Sequence, residues 1–283
     1  MKKVFNIFDN TMGESKHYVA EHAPKTFEWN WEYNPNYETF FVNFDVANPL
    51  TKQIKGYALL PETKGIIPEY YYHVEANIND YKMVFTPDSH LIEKYPEKCK
   101  WVPGYGMRVG GKNGDEEIKI HKKSKMISMV SSNKQMCELH KYRIHLANFL
   151  SNNTNSVVAT VGCASPCGSN KIIDSLRDYR YSIGIENYVS KWYMTEKLFN
   201  CFATGTIPIY YGATDLGKYF NTDGVIQING MSFNEILNLV NNLDEDFYES
   251  KMDVIKENFE LVQKFKSMED YINLNYFKKG MML

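Results

Sequence analysis

The chain has 283 residues, with 32 lysines and arginines against 34 aspartates and glutamates, 43% hydrophobic residues and 14% aromatic ones. A net charge of −2 leaves no global basic field for nucleic acid or an anionic membrane, so any anion site must be local, and the apolar fraction argues against disorder. At about 100–200 residues per α/β lobe the length predicts two domains.

The N-terminal run MKKVFNIFDN is broken by Asn6 and Asp9 and is too short for a signal sequence or anchor. No uninterrupted apolar stretch of about 18 residues follows, which predicts a soluble, cytoplasmic protein without an integral membrane segment. The cysteines, Cys99, Cys137, Cys163, Cys167 and Cys201, are odd in number and scattered, as reduced thiols are. Cys163 and Cys167 form the one close pair, and without a second Cys/His pair nearby they do not read as a zinc site. No metal is expected.

KVFNIFD, Lys3 to Asp9, alternates as an opening strand, and ETFFVNFDV, Glu38 to Val46, is a second. Between them a short helix ends before Pro24, and Trp29, Trp31, Tyr33 and Tyr37 cluster, either as core or as an aromatic platform for a carbohydrate. A strand over Tyr57 to Leu60, a turn at Pro61-Glu62-Thr63, a helix from Pro68 and a strand over Lys82 to Thr86 follow. In open α/β sheets ligands gather beyond the carboxyl ends of strands. Glu62, directly after YALLP, therefore stands where a catalytic base belongs, with an exposed loop carboxylate as the other reading. His73 and Asp88 are further candidates for that task, while Glu69 and Glu75 fall on the helix, where solvated roles are expected.

Lys98 to Gly111 reads as a short strand and a Gly-rich turn, outside the strand-to-helix setting of a phosphate fingerprint. KNGDEEIKIHKKSK, Lys112 to Lys125, is the most charged run and is expected to join the domains. Beyond it come an apolar strand from Met126, a helix over His140 to Leu150 with Tyr142, Leu146, Phe149 and Leu150 inward, and a strand in SVVATVG. Arg143, near the start of that helix, can make forked bonds to phosphate oxygens or a surface salt bridge.

Tyr181 to Gly212 reads as buried strand, polar loop, helix and second buried strand. Thr195 is the expected N-cap of a helix over Glu196 to Ala203, and Gly205 the C-cap before a strand over Ile207 to Tyr211. Glu196 and Lys197 then occupy the first helical turn, where free N–H groups and the positive helix end favour a phosphate and a carboxylate can accept from ribose hydroxyls. An ordinary capped helix with a solvated Glu-Lys pair is the alternative. Ser232 to Leu243, Phe247 to Lys266 and Ser267 to Phe277 read as amphipathic helices, and the acidic run Asp244 to Asp246 as a helix start rather than a metal motif.

IENY at Ile185 to Tyr188, YMTEKL at Tyr193 to Leu198 and TGTIPIYYG at Thr204 to Gly212, with VSSNK and Arg143 upstream, resemble the family-10 glycosyltransferases, the α1,3/α1,4-fucosyltransferases. The resemblance implies a GT-B-like α/β architecture of two Rossmann-like domains facing a central cleft. The domains expected on that pattern are an acceptor-side domain at residues 1–120, a nucleotide-sugar domain at 121–255, and C-terminal helices at 256–283 that pack back on the first. It also implies an inverting enzyme that moves a sugar, L-fucose from GDP-fucose, to a glycan hydroxyl by single displacement, with no cofactor and no metal. Carried over by position, Arg143 and Lys197 bind the diphosphate, Glu196 the ribose hydroxyls and Tyr193 the nucleotide end. Glu186 lies near the sugar, Asn187 supports the loop, Thr195 belongs to the same donor-binding set, and Glu62 matches the base. The expected partners are a nucleotide-sugar donor and a glycan acceptor. The exostosin-type transferases share the layout of loop, helix and Gly-x-x-Pro strand, which keeps a UDP-sugar donor such as UDP-xylose as an alternative. An inactive carbohydrate-binding or scaffold protein is the reading from another class.

Overall fold

Short runs of β-branched and aromatic residues punctuated by polar turns form two all-parallel sheets in the computed structural model, which describes residues 2–10, 24–110, 115–162 and 171–277. The helix expected before Pro24 and the Cys163 and Cys167 pair lie outside those residues.

In the first sheet β1 (Lys3–Phe8), β2 (Phe27–Asn30), β3 (Thr39–Val42), β4 (Tyr57–Leu59), β5 (Met83–Thr86) and β6 (Cys99–Trp101) lie in the order β2-β1-β3-β4-β5-β6. The connections carry α1 (Thr51–Ile54), α2 (Pro68–Ala76) and α3 (Ser89–Lys94). Alternate residues serve opposite faces. Phe5, Ile7, Phe40, Val42, Tyr57, Leu59 and Phe85 join one cluster, and Phe41, Ala58, Leu60, Val84 and Cys99 the other, as strands covered on both faces require. Trp29 sets its ring edge-on to Phe27 and Phe40, with centroids 4.7 and 5.3 Å apart, and Trp31 packs against the same cluster. These two half-buried tryptophans therefore pack on the edge of the core. Pro68 opens α2, where a missing N–H leaves nothing unsatisfied. Asp88 caps α3 by accepting the Leu91 N–H at 2.9 Å, so its carboxylate is engaged as a helix cap.

The second sheet comprises β7 (Lys125–Ser131), β8 (Val157–Val161), β9 (Tyr179–Ile185), β10 (Ile207–Tyr211) and β11 (Ile226–Gln227), ordered β11-β10-β9-β7-β8. Its helices are α4 (Glu138–Asn153), α5 (Glu196–Thr204), α6 (Phe233–Asn242), α7 (Glu245–Ser250) and α8 (Met252–Val262), followed by α9 (Met268–Ile272). The single helix expected over Phe247 to Lys266 is broken, because Lys251 leaves the helical region and separates α7 from α8. Asp244 caps α7, accepting from the Phe247 N–H at 2.8 Å, so the acidic run does start a helix. Two parallel sheets, each flanked by helices, give the α/β composition of a GT-B-like pair of Rossmann domains.

By packing, the described residues up to Gly106, with Ser190–Tyr193 and those from Phe265 onward, form one unit, and Met107–Val189 with Met194–Lys264 form a second. The charged run Lys112 to Lys125 contains a buried member. Lys123 Nζ donates to the carbonyls of Leu176, Arg177 and Thr204 at 3.0, 3.3 and 2.8 Å and to Thr206 Oγ1 at 2.9 Å. Burial pulls this ammonium down to about 7. It ties the chain entering β7 to the ends of α5 and of the segment before β9. Among the described residues no helix is long and apolar enough to cross a membrane.

Candidate active site

In the second sheet the chain leaves β7 toward β8 on one side and β9 toward β10 on the other. The loops after β7 and β9 therefore diverge, and the crevice at such a switch point is where open α/β sheets hold ligands. One loop, residues 132–137, leads into α4, which carries Arg143. The other, residues 186–195, leads into α5, which carries Glu196 and Lys197.

Side-chain chemistry explains how α5 begins and ends. Thr195 is extended, and its Oγ1 accepts the Lys197 N–H at 3.3 Å; Gly205 closes the helix at φ 70°. A Cβ at Gly205 would lie 2.7 Å from Ile120 Cγ2, so both the conformation and the space call for glycine.

Glu186 ends β9 with no exposed surface. Its Oε1 accepts from the Thr195 N–H at 3.1 Å, Thr195 Oγ1 at 2.8 Å and the Tyr210 hydroxyl at 3.1 Å, and its Oε2 from Lys197 Nζ at 3.0 Å. Burial raises the Glu186 carboxyl above the ordinary range, with Lys197 pulling the other way. Burial also works against the Lys197 ammonium, but the charges of Glu186 and Glu196 outweigh it and hold its pKa above the usual value. Glu196 is desolvated too, yet Lys197 and then Arg108 bring it below the usual carboxylate value. Its Oε1 lies 3.3 Å from Lys197 Nζ, the longest of that ammonium's three hydrogen bonds. The Glu-Lys pair of the first turn is thus no solvated pair. It is wired to a buried carboxylate.

Arg143 is 7% exposed and bonds Ser132 Oγ in the loop after β7. The side chain is therefore buried rather than laid on the surface. Lys197 feels its positive charge, so the cations of α4 and α5 are electrostatic neighbours. Asn187 is half-buried, and its carbonyl accepts the Cys137 thiol at 3.2 Å, joining the loop after β9 to the start of α4. Tyr193 is buried, its N–H donating to Ser190 Oγ at 3.1 Å, and its segment packs with the first unit.

Two groups escaped the sequence reading. Arg108 is exposed, while its backbone N–H and that of Val109 both donate to Oδ1 of the buried Asn200, at 2.8 and 3.0 Å. Asn200 is one turn beyond Glu196 on α5, so the clamp sets Arg108 beside the first turn of that helix. No periodicity or capping signal marks it. His140, in the first turn of α4, is buried as well.

Glu62 belongs to the first unit, beyond the carboxyl end of β4. Its carboxylate is half-buried and oriented, Oε1 accepting the Thr63 N–H at 2.9 Å and Oε2 the Tyr105 hydroxyl at 3.1 Å. The backbone is held as well. The Glu62 N–H donates to Asn43 Oδ1 at 3.3 Å, and the Tyr71 hydroxyl donates to the Glu62 carbonyl at 2.6 Å. Glu75 is paired with His90 and Lys94, as a solvated helix-face residue would be.

Residues 120–278 match the model of glycosyltransferase family 10 (fucosyltransferase), C-terminal part. The chain belongs to glycosyltransferase family 10. Among solved structures, this family-10 chain is similar to an alpha1,3-fucosyltransferase at 15% identity, over 91% of this chain and 82% of that one, with a TM-score of 0.54. It is similar to TarM at 9% identity, over 87% of this chain and 55% of that one, with a TM-score of 0.57. A mutant of S. aureus TarM in complex with Fondaparinux, alpha-GlcNAc-glycerol and UDP matches at 12% identity, over 83% and 55% of the two chains, with a TM-score of 0.50. These likenesses concern the fold. No curated protein matches the chain.

Proposed function

We propose that the protein transfers L-fucose from GDP-fucose to a glycan hydroxyl with inversion at the anomeric carbon. The observation that carries the reading is the convergence of Arg143 and Lys197, from two helices, at the switch point of the second sheet in a chain of family 10. Two cations there neutralise a diphosphate, and the starts of α4 and α5 add N–H groups to it. Lys197 already has three acceptors, so an arriving phosphate takes the place of the most distant one, Glu196. Glu196 is then released toward the ribose hydroxyls. Glu186 stays buried as the counter-charge that keeps Lys197 protonated, with Thr195 holding the pair in register and Asn187 fixing the loop. Arg108, beside Glu196, adds a third cation at the ribose end.

In the displacement, Glu62 removes the proton of the acceptor hydroxyl as that oxygen attacks C1. The bond from C1 to the diphosphate oxygen breaks, and the charge that gathers on the leaving diphosphate is met by Arg143 and Lys197. The hydrogen bonds from Thr63 and Tyr105 aim the Glu62 carboxylate.

Incubating the purified protein with GDP-fucose, UDP-xylose and UDP-glucose, with and without a glycan mixture, tests this. Release of GDP and fucosylated product is expected, and Glu62→Gln should abolish transfer while nucleotide binding stays within about twofold. Turnover of a UDP-sugar instead would replace the donor assignment. Nucleotide binding without turnover of any donor would favour an inactive binding protein.

A further inference from the structure

We propose that His140 is a third ligand of the donor diphosphate, a neutral imidazole that donates its Nε2–H to a phosphate oxygen alongside Arg143 and Lys197. The proposal rests on the donor reading above. His140 is the third residue of α4 and is only 4% exposed. Arg143 follows one turn later on the same face.

The ring's protonation state follows from one contact. The Met136 N–H donates to His140 Nδ1 at 3.2 Å, and a ring nitrogen that accepts carries no proton, so the neutral ring is the Nε2–H tautomer. Met136 lies in the loop after β7 that also supplies Ser132 to Arg143. The loop therefore fixes the orientation of both side chains.

The surroundings keep the ring neutral until an anion arrives. Burial, then the charges of Arg143 on its own helix, Lys197 from α5 and Lys134 from the loop after β7, lower His140 to about 4. A capping role toward Met136 alone requires only Nδ1. It does not explain a buried imidazole oriented by the same loop, and on the same face of α4, as Arg143. When a diphosphate binds, its negative charge cancels that field, and the imidazolium becomes easier to form. Donor binding at mildly acidic pH then draws a proton onto His140 Nδ1, which gives up its hydrogen bond from the Met136 N–H.

Histidine side-chain 15N NMR of the full chain, with and without GDP-fucose or UDP-glucose, tests the idea, with the His140 signal assigned from His140→Gln. The diphosphate of a nucleotide sugar is a diester without a titrating group near neutral pH, so changes report on the protein. The free protein should show the Nε2–H tautomer. Saturation with the bound donor should shift Nε2 and move the titration midpoint up from about 4 toward the ordinary imidazole value of about 6.5. His140→Ala should weaken donor binding about tenfold or more. Gln, which keeps an acceptor for Met136 and a donor for the phosphate, should recover most of the loss. An unmoved ring signal and midpoint at saturation, or a folded His140→Ala that binds as tightly as the parent, would overturn the role while leaving the donor site intact. If neither nucleotide sugar binds the parent protein, the donor reading fails, and this proposal with it.

Discussion

Lys197 Nζ lies 3.0 Å from Oε2 of Glu186, a carboxylate with no solvent-exposed surface. The pair joins the end of β9 to the first turn of α5, and it places a structural ion pair inside the candidate donor site. Removing one partner of a buried pair leaves the other uncompensated. Lys197→Ala should therefore destabilise the protein by about 3–5 kcal/mol, read as a lower urea midpoint. The double variant Glu186→Gln/Lys197→Ala should recover part of that loss in a double-mutant cycle. Independent, additive effects would show that the two groups do not depend on each other.

Gly212 packs directly on the Glu186 side chain and the Tyr210 ring that bonds it. A Cβ there would lie 2.6 Å from Glu186 Cγ and 2.6 Å from the Tyr210 hydroxyl, whereas at Gly217 the nearest atom would be 3.9 Å away. Gly212→Ala should cost about 1–3 kcal/mol of stability through overpacking, while Gly217→Ala should stay near neutral. Equal melting temperatures for the two variants would contradict the packing.

Lys123 gives a pH dependence whose sign is opposite to that of a paired lysine. Its folded value, about 7, lies below the ordinary 10.5, so between those limits the unfolded chain holds one more proton than the folded one. Stability then rises with pH across that window and is insensitive to this group below about 7. Lys123→Met should flatten that slope in chemical denaturation from pH 7 to 10. By stranding the acceptors of Leu176, Arg177 and Thr204, it should also lower stability at pH 7 by about 1–3 kcal/mol. A variant whose stability follows the parental pH curve would contradict the assignment.

What could be read from the chain was local. Thr195 and Gly205 announce the two ends of α5 because their own side chains or lack of one make the caps, and the apolar and aromatic residues of β1 and β3 announce strands. What could not be read depends on partners far away in sequence. The clamp that positions Arg108 is an amide 92 residues on. Lys123 stands in the most charged run of the chain and is buried by carbonyls up to 81 residues away. Arg143 reads from the sequence as a residue for either phosphate or solvent, and its burial with Ser132, a partner 11 residues upstream, is set by the tertiary fold. The break at Lys251 is equally hidden, since the apolar spacing of α7 and α8 continues across it. Trp29 reads from the sequence as core or sugar platform, and its edge-on packing with Phe27 and Phe40 comes from neighbouring strands of the sheet.

The most direct measurement is a calorimetric titration of the protein with GDP and with UDP, repeated on Arg143→Ala and Lys197→Ala variants shown by circular dichroism to be folded. The donor-site account predicts that the parent binds GDP more tightly than UDP and that each substitution weakens binding at least tenfold, the loss expected for about 1.4 kcal/mol of charge-assisted hydrogen bonding. A parent that binds neither nucleotide, or folded variants that bind GDP as tightly as the parent, would contradict it.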